Sequence, residues 1–217
     1  MEEIEETRVG QEVIDRALAW TKGQSLQPIV ADVITCSNDL SVRIATKLIK
    51  QSEGCSLFVY PDPASELSIK LSQHDILAKY IAGNLVLPPY LDELDGSPWT
   101  QGYGETKGVV KGSPKWTQEQ ADSRLDVRVK EFMQEVLTSS PNLAGQSAEK
   151  IASITSFVYN IGITQYNDST ARKRIATSDW KGAAEAMQWF NKANGKVNQG
   201  LVNRRKVEAD LFMSVQG

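Results

Sequence analysis

Leu48-Ile49-Lys50-Gln51-Ser52-Glu53-Gly54, then Tyr60-Pro61-Asp62-Pro63, then Trp99-Thr100-Gln101-Gly102-Tyr103-Gly104 are the segments around which the chain is organised. It holds an acid, a second acid and a hydroxyl. Cleaving a glycosidic bond needs a protonated acid for the leaving oxygen and an ionised carboxylate to support an oxocarbenium-like transition state. One environment does not supply both. Glu53 closes a helix ahead of Gly54 and is followed by the apolar run Leu57-Phe58-Val59, which is expected to desolvate it and favour its protonated form. Asp62 stands between Pro61 and Pro63 on a turn that water reaches, so it is expected to stay charged and orient a water. Thr100 offers a neutral hydroxyl that can hold the same water without competing for its proton.

Taken singly, each residue has a plainer reading. A Glu near a helix end is ordinarily a solvated charge, an Asp between prolines a turn residue, and a Thr before glycines a cap. Their order along the chain changes the balance. The stretch resembles the phage-type lysozymes of glycoside hydrolase family 24, in which a helix ends in Glu-Gly, an Asp follows nine positions later, and a Thr opens a Thr-x-Gly-Tyr-Gly turn. Two features depart from that pattern: residues Pro63 to Trp99 intervene before Thr100, and Glu105 stands where the family often has His. Further along, Phe157-Val158-Tyr159-Asn160-Ile161-Gly162 is similar to the family's Phe-Asn-x-Gly signature. Gly200-Leu201-Val202-Asn203-Arg204-Arg205-Lys206-Val207-Glu208 is similar to its Gly-Leu-x-x-Arg-Arg-x-x-Glu ending, so the resemblance covers Asp39 to Phe212.

The resemblance implies a mainly α, lysozyme-like fold of two lobes with a cleft between them, the small lobe enlarged or replaced by a helical insertion over 63–99. It implies cleavage of peptidoglycan between N-acetylmuramic acid and N-acetylglucosamine, with Glu53 as proton donor and Asp62 with Thr100 managing the water. Tyr103, Asn160 and Arg204 are expected at the substrate. Arg204 is also expected to approach Glu53 and orient it, although a cation there favours the charged carboxylate. Asn160 either meets sugar or caps the helix ahead of Gly162. No metal and no cofactor is implied. The resemblance further implies a monomer that accumulates in a host cytoplasm and reaches the wall through a separate pore-forming protein. Two rival readings stand beside it: a lytic transglycosylase, in which one Glu suffices, and a wall-binding module without catalysis.

Composition sets the outer bounds. A chain of 217 residues, 41% hydrophobic and 24% charged, is that of a globular protein and excludes disordered and collagen-like classes. Charge is uneven, with eight basic and sixteen acidic residues up to Thr106 against sixteen and eleven from Lys107 onward. The basic half suits an anionic polymer or envelope surface, or is simply solvated helix faces. Its cations form no run interleaved with aromatics, which argues against nucleic acid. The first twenty-five residues carry no apolar run long enough for an export signal or membrane span. Cys36 and Cys55 bracket a helix about 24 Å long at about 1.5 Å per residue, beyond disulfide reach, so both are expected to be free thiols. Cys55 with His74, the single histidine, is a weak candidate for thiol nucleophile and base, since a lone Cys is usually a small buried residue. One His and no Cys pair argue against zinc.

The periodicity places an amphipathic helix over Ile4–Trp20, on Val9, Val13, Ala17 and Trp20, within an N-terminal extension of residues 1–36 ahead of a catalytic domain over 37–217. Pro28 starts a short apolar piece, and Ser37 or Asn38 caps the helix to Glu53, with Leu40, Ile44, Leu48 and Ile49 as its buried face. Within the insertion, Ile69 to Tyr80 predict one helix running to Gly83, and Leu85 to Tyr90 an extended segment. Thr117 and Gln120 form a capping box for a long helix to Ser139, and Ile151 to Ile161 form a buried helix. Asp179 starts a helix carrying Phe190, with Trp180 and Trp189 expected in the core.

Overall fold

The computed structural model describes residues 27–214, with side chains from residue 38 onward; the expected helix over Ile4–Trp20 and the Cys36 thiol lie outside the described residues. Pro28 does not head a separate piece. It sits in the first turn of one continuous helix, α1 (Gln27–Ser52), where its missing N–H removes no helix bond. Ser37 and Asn38 are therefore interior residues rather than caps, and position 36/37 falls inside the helix. The buried face of α1 is also rotated from the expected one. Ser41, Val42, Ala45 and Ile49 are buried, while Leu40 is 39% exposed. Small side chains at 41 and 45 let α1 lie close against its main neighbour, α6 (Ala148–Ile161), and that close approach outweighs the greater hydrophobicity of Leu40.

The chain leaves α1 into β1 (Ser56–Tyr60), which pairs antiparallel with β2 (Thr100–Gly102) through Ser56 opposite Gly102 and Tyr60 opposite Thr100, with a bulge between. Of the two expectations for the small lobe, the insertion enlarges it rather than replaces it, entering between the two strands. Three short helices fill it: α2 (Glu66–Gln73), α3 (Leu77–Ile81) and α4 (Pro89–Asp92). The single helix expected to Gly83 breaks after His74 because Asp75 adopts a left-handed backbone (φ 58°), which a continuing right-handed helix cannot contain. Pro89 starts α4 at a position that needs no amide hydrogen, so the segment expected to be extended ends in a helical turn. Leu67, Leu71 and Leu91 fix the insertion to the core.

The long helix α5 (Gln118–Ser139) joins the lobes, packing against β2, α1 and α6. Its start is the expected capping box: Thr117 accepts from the Gln120 N–H at 3.1 Å, and the Gln120 side chain accepts from the Thr117 N–H at 2.8 Å. We expect Thr117→Ala to cost about 1 kcal/mol, read as a fall in Tm of roughly 2–4 °C for a chain of this size.

The larger lobe is built around α6, every residue of which from Ala148 to Val158 is buried apart from Glu149. On it pack α7 (Ile163–Asp168) and α10 (Gln199–Met213), while α8 (Thr170–Ala176) and α9 (Trp180–Met187) pack on one another and against α7 and α10 respectively. Asp179 caps α9 by accepting from the Gly182 N–H at 2.9 Å. That helix stops at Met187, so Phe190 and Trp189 lie beyond it, and a hairpin of β3 (Lys192–Ala193) and β4 (Lys196–Val197) leads into α10. Trp180 packs on Phe212 at 6.1 Å, whereas Trp189 is 64% exposed, against the expectation that both are core.

Candidate functional site

Glu53 is placed by the last turn of α1, where its N–H donates to the Ile49 carbonyl at 2.8 Å. Gly54 ends that helix without a left-handed backbone. The Glu53 side chain is placed from the other lobe: Arg204 Nη1 donates to Glu53 Oε1, the approach expected from the sequence. The carboxylate keeps 28% exposure and the arginine 6%, so the acid faces water with the cation behind it.

Arg204 is itself held on every nitrogen. Its Nε donates to Glu208 Oε1 at 3.1 Å and its Nη2 to the Ser156 carbonyl at 3.3 Å. Helical spacing makes this possible, since Arg204 and Glu208 are one turn apart on α10. The Ser156 hydroxyl donates to Glu208 Oε1 at 2.7 Å, and Arg205 Nη2 donates to Glu208 Oε1 at 3.2 Å. Arg205 Nε lies 2.9 Å from Glu208 Oε2, close enough for an ion pair but off the hydrogen-bond direction. Burial pushes the Arg205 guanidinium down to about 10, which leaves it charged at neutral pH. Burial raises the proton affinity of Glu208, and the Arg205 and Arg204 cations with the Ser156 hydroxyl oppose it. Two cations and two carboxylates thus form a chain from the interior to Glu53. Of these residues Arg204 is evident from the sequence, Glu208 is signalled by its spacing within the Gly200–Glu208 motif, and Ser156 has no signal of its own.

Asp62 follows β1 and is half-buried. Its Oδ1 accepts from the Ala64 N–H at 2.7 Å, and its own N–H donates to the Gly96 carbonyl at 2.9 Å. Gly96 has to be glycine, because a Cβ would lie 2.6 Å from the Trp99 ring and 2.9 Å from Pro61. The end of the insertion therefore docks on Asp62 and delivers Thr100 to β2, opposite Tyr60. Hairpin register thus brings Thr100, itself 8% exposed, back across the insertion to within two residues of Asp62 along the paired strand.

The turn after Thr100 is secured from several sides. Buried Gln101 donates through Nε2 to the Leu57 carbonyl at 2.8 Å and the Pro114 carbonyl at 2.9 Å. Tyr103, expected at the substrate, is instead buried: its hydroxyl donates to Asp122 at 2.9 Å and accepts from Gln118 at 2.9 Å, while Lys50 pairs with Asp122 at 2.9 Å. Burial, then the Asp122 carboxylate, pushes the Tyr103 phenol up to about 12. Tyr103 therefore ties the turn to α5, because an aromatic after a tight glycine turn has the core beneath it. Arg204, also expected at the substrate, is buried behind Glu53 with its nitrogens taken by protein. Asn160 does not cap α6; it is exposed and accepts from Arg205 at 3.1 Å, which leaves it free to meet a ligand. Glu105, in the place of the family's His, accepts from the Lys107 N–H at 2.7 Å, and its backbone bridges Gln101.

Tyr60 and Tyr159 flank the acid. Burial raises both phenols and the Glu53 charge adds to it, so both are neutral beside Glu53. The Tyr159 hydroxyl donates to the Tyr103 carbonyl at 2.7 Å, linking α6 to the turn. Cys55 is exposed rather than buried, 4.0 Å from Gln118 Nε2, and His74 is exposed at the end of α2. A groove of about 860 Å³ between α1 and α5, lined by Arg43, Lys47 and Asp126 among others, does not include Glu53 or Asp62.

The phage lysozyme family model matches residues 82–208, a span that starts beyond Glu53 and Asp62 and includes Thr100 and the α10 motif. Over 120 residues the chain is 36% identical to an endolysin of Acyrthosiphon pisum secondary endosymbiont phage 1, covering 54% of this chain and 80% of that one. It is 31% identical over 116 residues to an endolysin of Bacillus phage B103, of which it spans 43%. Among solved structures it resembles the endolysin from Escherichia coli O157:H7 phage FAHEc1, with a TM-score of 0.55 and 31% identity over 81% of this chain and 94% of that one. The muramidase domain of SpmX from Asticaccaulis excentricus shares the fold, with a TM-score of 0.55 and 23% identity over 79% of this chain and 95% of that one.

Proposed function

The chain belongs to the phage lysozyme family, and on that premise we propose that it is an endolysin that hydrolyses the β-1,4 bond between N-acetylmuramic acid and N-acetylglucosamine in peptidoglycan. The observation that supports the assignment of residues is the Arg204–Glu53 contact at the end of α1, beside a sheet that pairs Thr100 with Tyr60, two residues before Asp62. Glu53 gives its proton to the leaving oxygen as the bond from that oxygen to the anomeric carbon breaks. Water, held by Asp62 and Thr100, bonds to the same carbon through its oxygen and loses a proton to Asp62, from which solvent returns one to Glu53. Asn160, exposed and oriented by Arg205, is the residue of the α6 signature that meets the sugar.

A lytic transglycosylase is the alternative, in which the sugar's own hydroxyl attacks and no second carboxylate is needed. Asp62→Asn separates the two. We expect it to lower the rate on purified wall by on the order of 10²-fold or more, with fragments that carry ordinary reducing ends by mass spectrometry. Full activity with anhydro products would establish the transglycosylase. Among the described residues no helix is long and apolar enough to cross a membrane. Accumulation in a host cytoplasm, action as a monomer and passage to the wall through a separate pore-forming protein complete the proposal.

A further inference from the structure

Glu208 touches no position that substrate can reach. It is 1% exposed, yet it accepts from Arg204, Arg205 and Ser156 on one carboxylate oxygen, and Arg204 is the cation against Glu53. The charges of Glu53, Arg204, Glu208 and Arg205 balance when all four are ionised. An acid catalyst at Glu53 has to take up a proton, and at that moment Arg204 loses one of its two counter-charges inside the protein. A buried guanidinium left without a carboxylate carries a large desolvation penalty. With Glu208 on its Nε, Arg204 still has a partner after Glu53 is protonated.

We propose that Glu208 is a positioning residue that acts through Arg204, holding its charge compensated so that Glu53 can carry the proton it donates. The proposal rests on the reading of Glu53 as the acid. It assigns opposite effects to the two neighbours of Arg204 in the network. Removing the Glu208 charge makes Glu53 the sole counter-ion of Arg204, which disfavours protonating Glu53. Removing the Arg205 charge frees the whole of Glu208 for Arg204, which favours it. Among the described residues, Tyr60 from β1 and Tyr159 from α6 also feel the Glu53 charge, and both stay neutral through the working range because burial raises them. The charges of Glu105 and Arg128 also act on Tyr159.

The test is the pH profile of wall hydrolysis by the full chain, each variant scaled to its own maximum. The alkaline limb reports loss of the proton from the acid. We expect Glu208→Gln to move that limb to lower pH by on the order of one unit and Arg205→Met to move it to higher pH. A loss of folded protein would scale the whole profile and leave the limb in place. Limbs that superimpose on the parent's, or that move in the same direction in both variants, overturn the proposal. If Glu208→Gln does not fold, the Arg205→Met limb decides alone: an upward move supports the proposal, and an unmoved or downward limb overturns it. Glu53→Gln is run beside them. If it stays active, the acid assignment itself fails; if it is inactive and the limbs do not move, only the role of Glu208 fails.

Discussion

Glu53→Gln is expected to reduce peptidoglycan cleavage by at least about 10²–10⁴-fold, the usual contribution of a positioned general acid. Glutamine has nearly the same shape and keeps an amide oxygen that can accept from Arg204 Nη1, but it holds no proton that it can release to a leaving group. Arg204 keeps Glu208 and the Ser156 carbonyl as partners in this variant, so the fold is expected to survive with Tm within a few degrees. Turbidity clearing of purified wall, with mass spectrometry of released fragments, measures the first part, and thermal unfolding the second. Cleavage at more than a tenth of the parent rate by a folded Glu53→Gln chain would rule out Glu53 as the acid.

Arg204→Met has the largest expected effect on stability. The guanidinium is 6% exposed and is shared by Glu53 and Glu208, and Glu208 is 1% exposed. Removing it leaves a buried carboxylate with Arg205 as its remaining cation and leaves the Ser156 carbonyl without the Nη2 donor. Breaking a buried ion pair from one side costs about 3–5 kcal/mol, which for this chain length lowers Tm by roughly 6–20 °C. The loss should be accompanied by poor activity even below the new midpoint, since nothing then fixes the Glu53 side chain. A midpoint within 2–3 °C of the parent, at about 1 kcal/mol or less, would mean that the network is not a stabilising element.

Local patterns in the sequence were enough for much of this. The capping box at Thr117, the Asp179 cap and the buried helix from Ile151 to Ile161 are set by neighbours within one or two turns. So are the ends of the proposed catalytic stretch: a helix stopping before Glu53 and a glycine turn after Thr100. The ordered motifs from Glu53 to Glu208 carried the family, and with it the two-lobed helical plan.

The departures from local pattern share a different cause. Leu40 is apolar enough for the core, but α1 buries the small face at Ser41 and Ala45 where it packs against α6. Tyr103 follows the turn motif as a sugar contact would, but α5 supplies Asp122 and Gln118 to bind its hydroxyl in the interior. Trp189 continues a helical spacing that α9 abandons at Met187, and so lies outside the core. The helix expected through the insertion breaks at Asp75, whose left-handed backbone no spacing of apolar residues announces.

Helix caps, turns and motif spacings were legible in the chain because they depend on groups only a few bonds apart, and they were enough to propose which residues carry the chemistry. The fold had to supply the return of the insertion through Gly96, which sets Thr100 opposite Tyr60, and the placing of Ser156, Arg205 and Glu208 behind Arg204. Those arrangements depend on which surfaces meet and which charges are shut away from water together, and such encounters join residues as far apart as Glu53 and Arg204, whose pairing exists only once α10 has packed against α6.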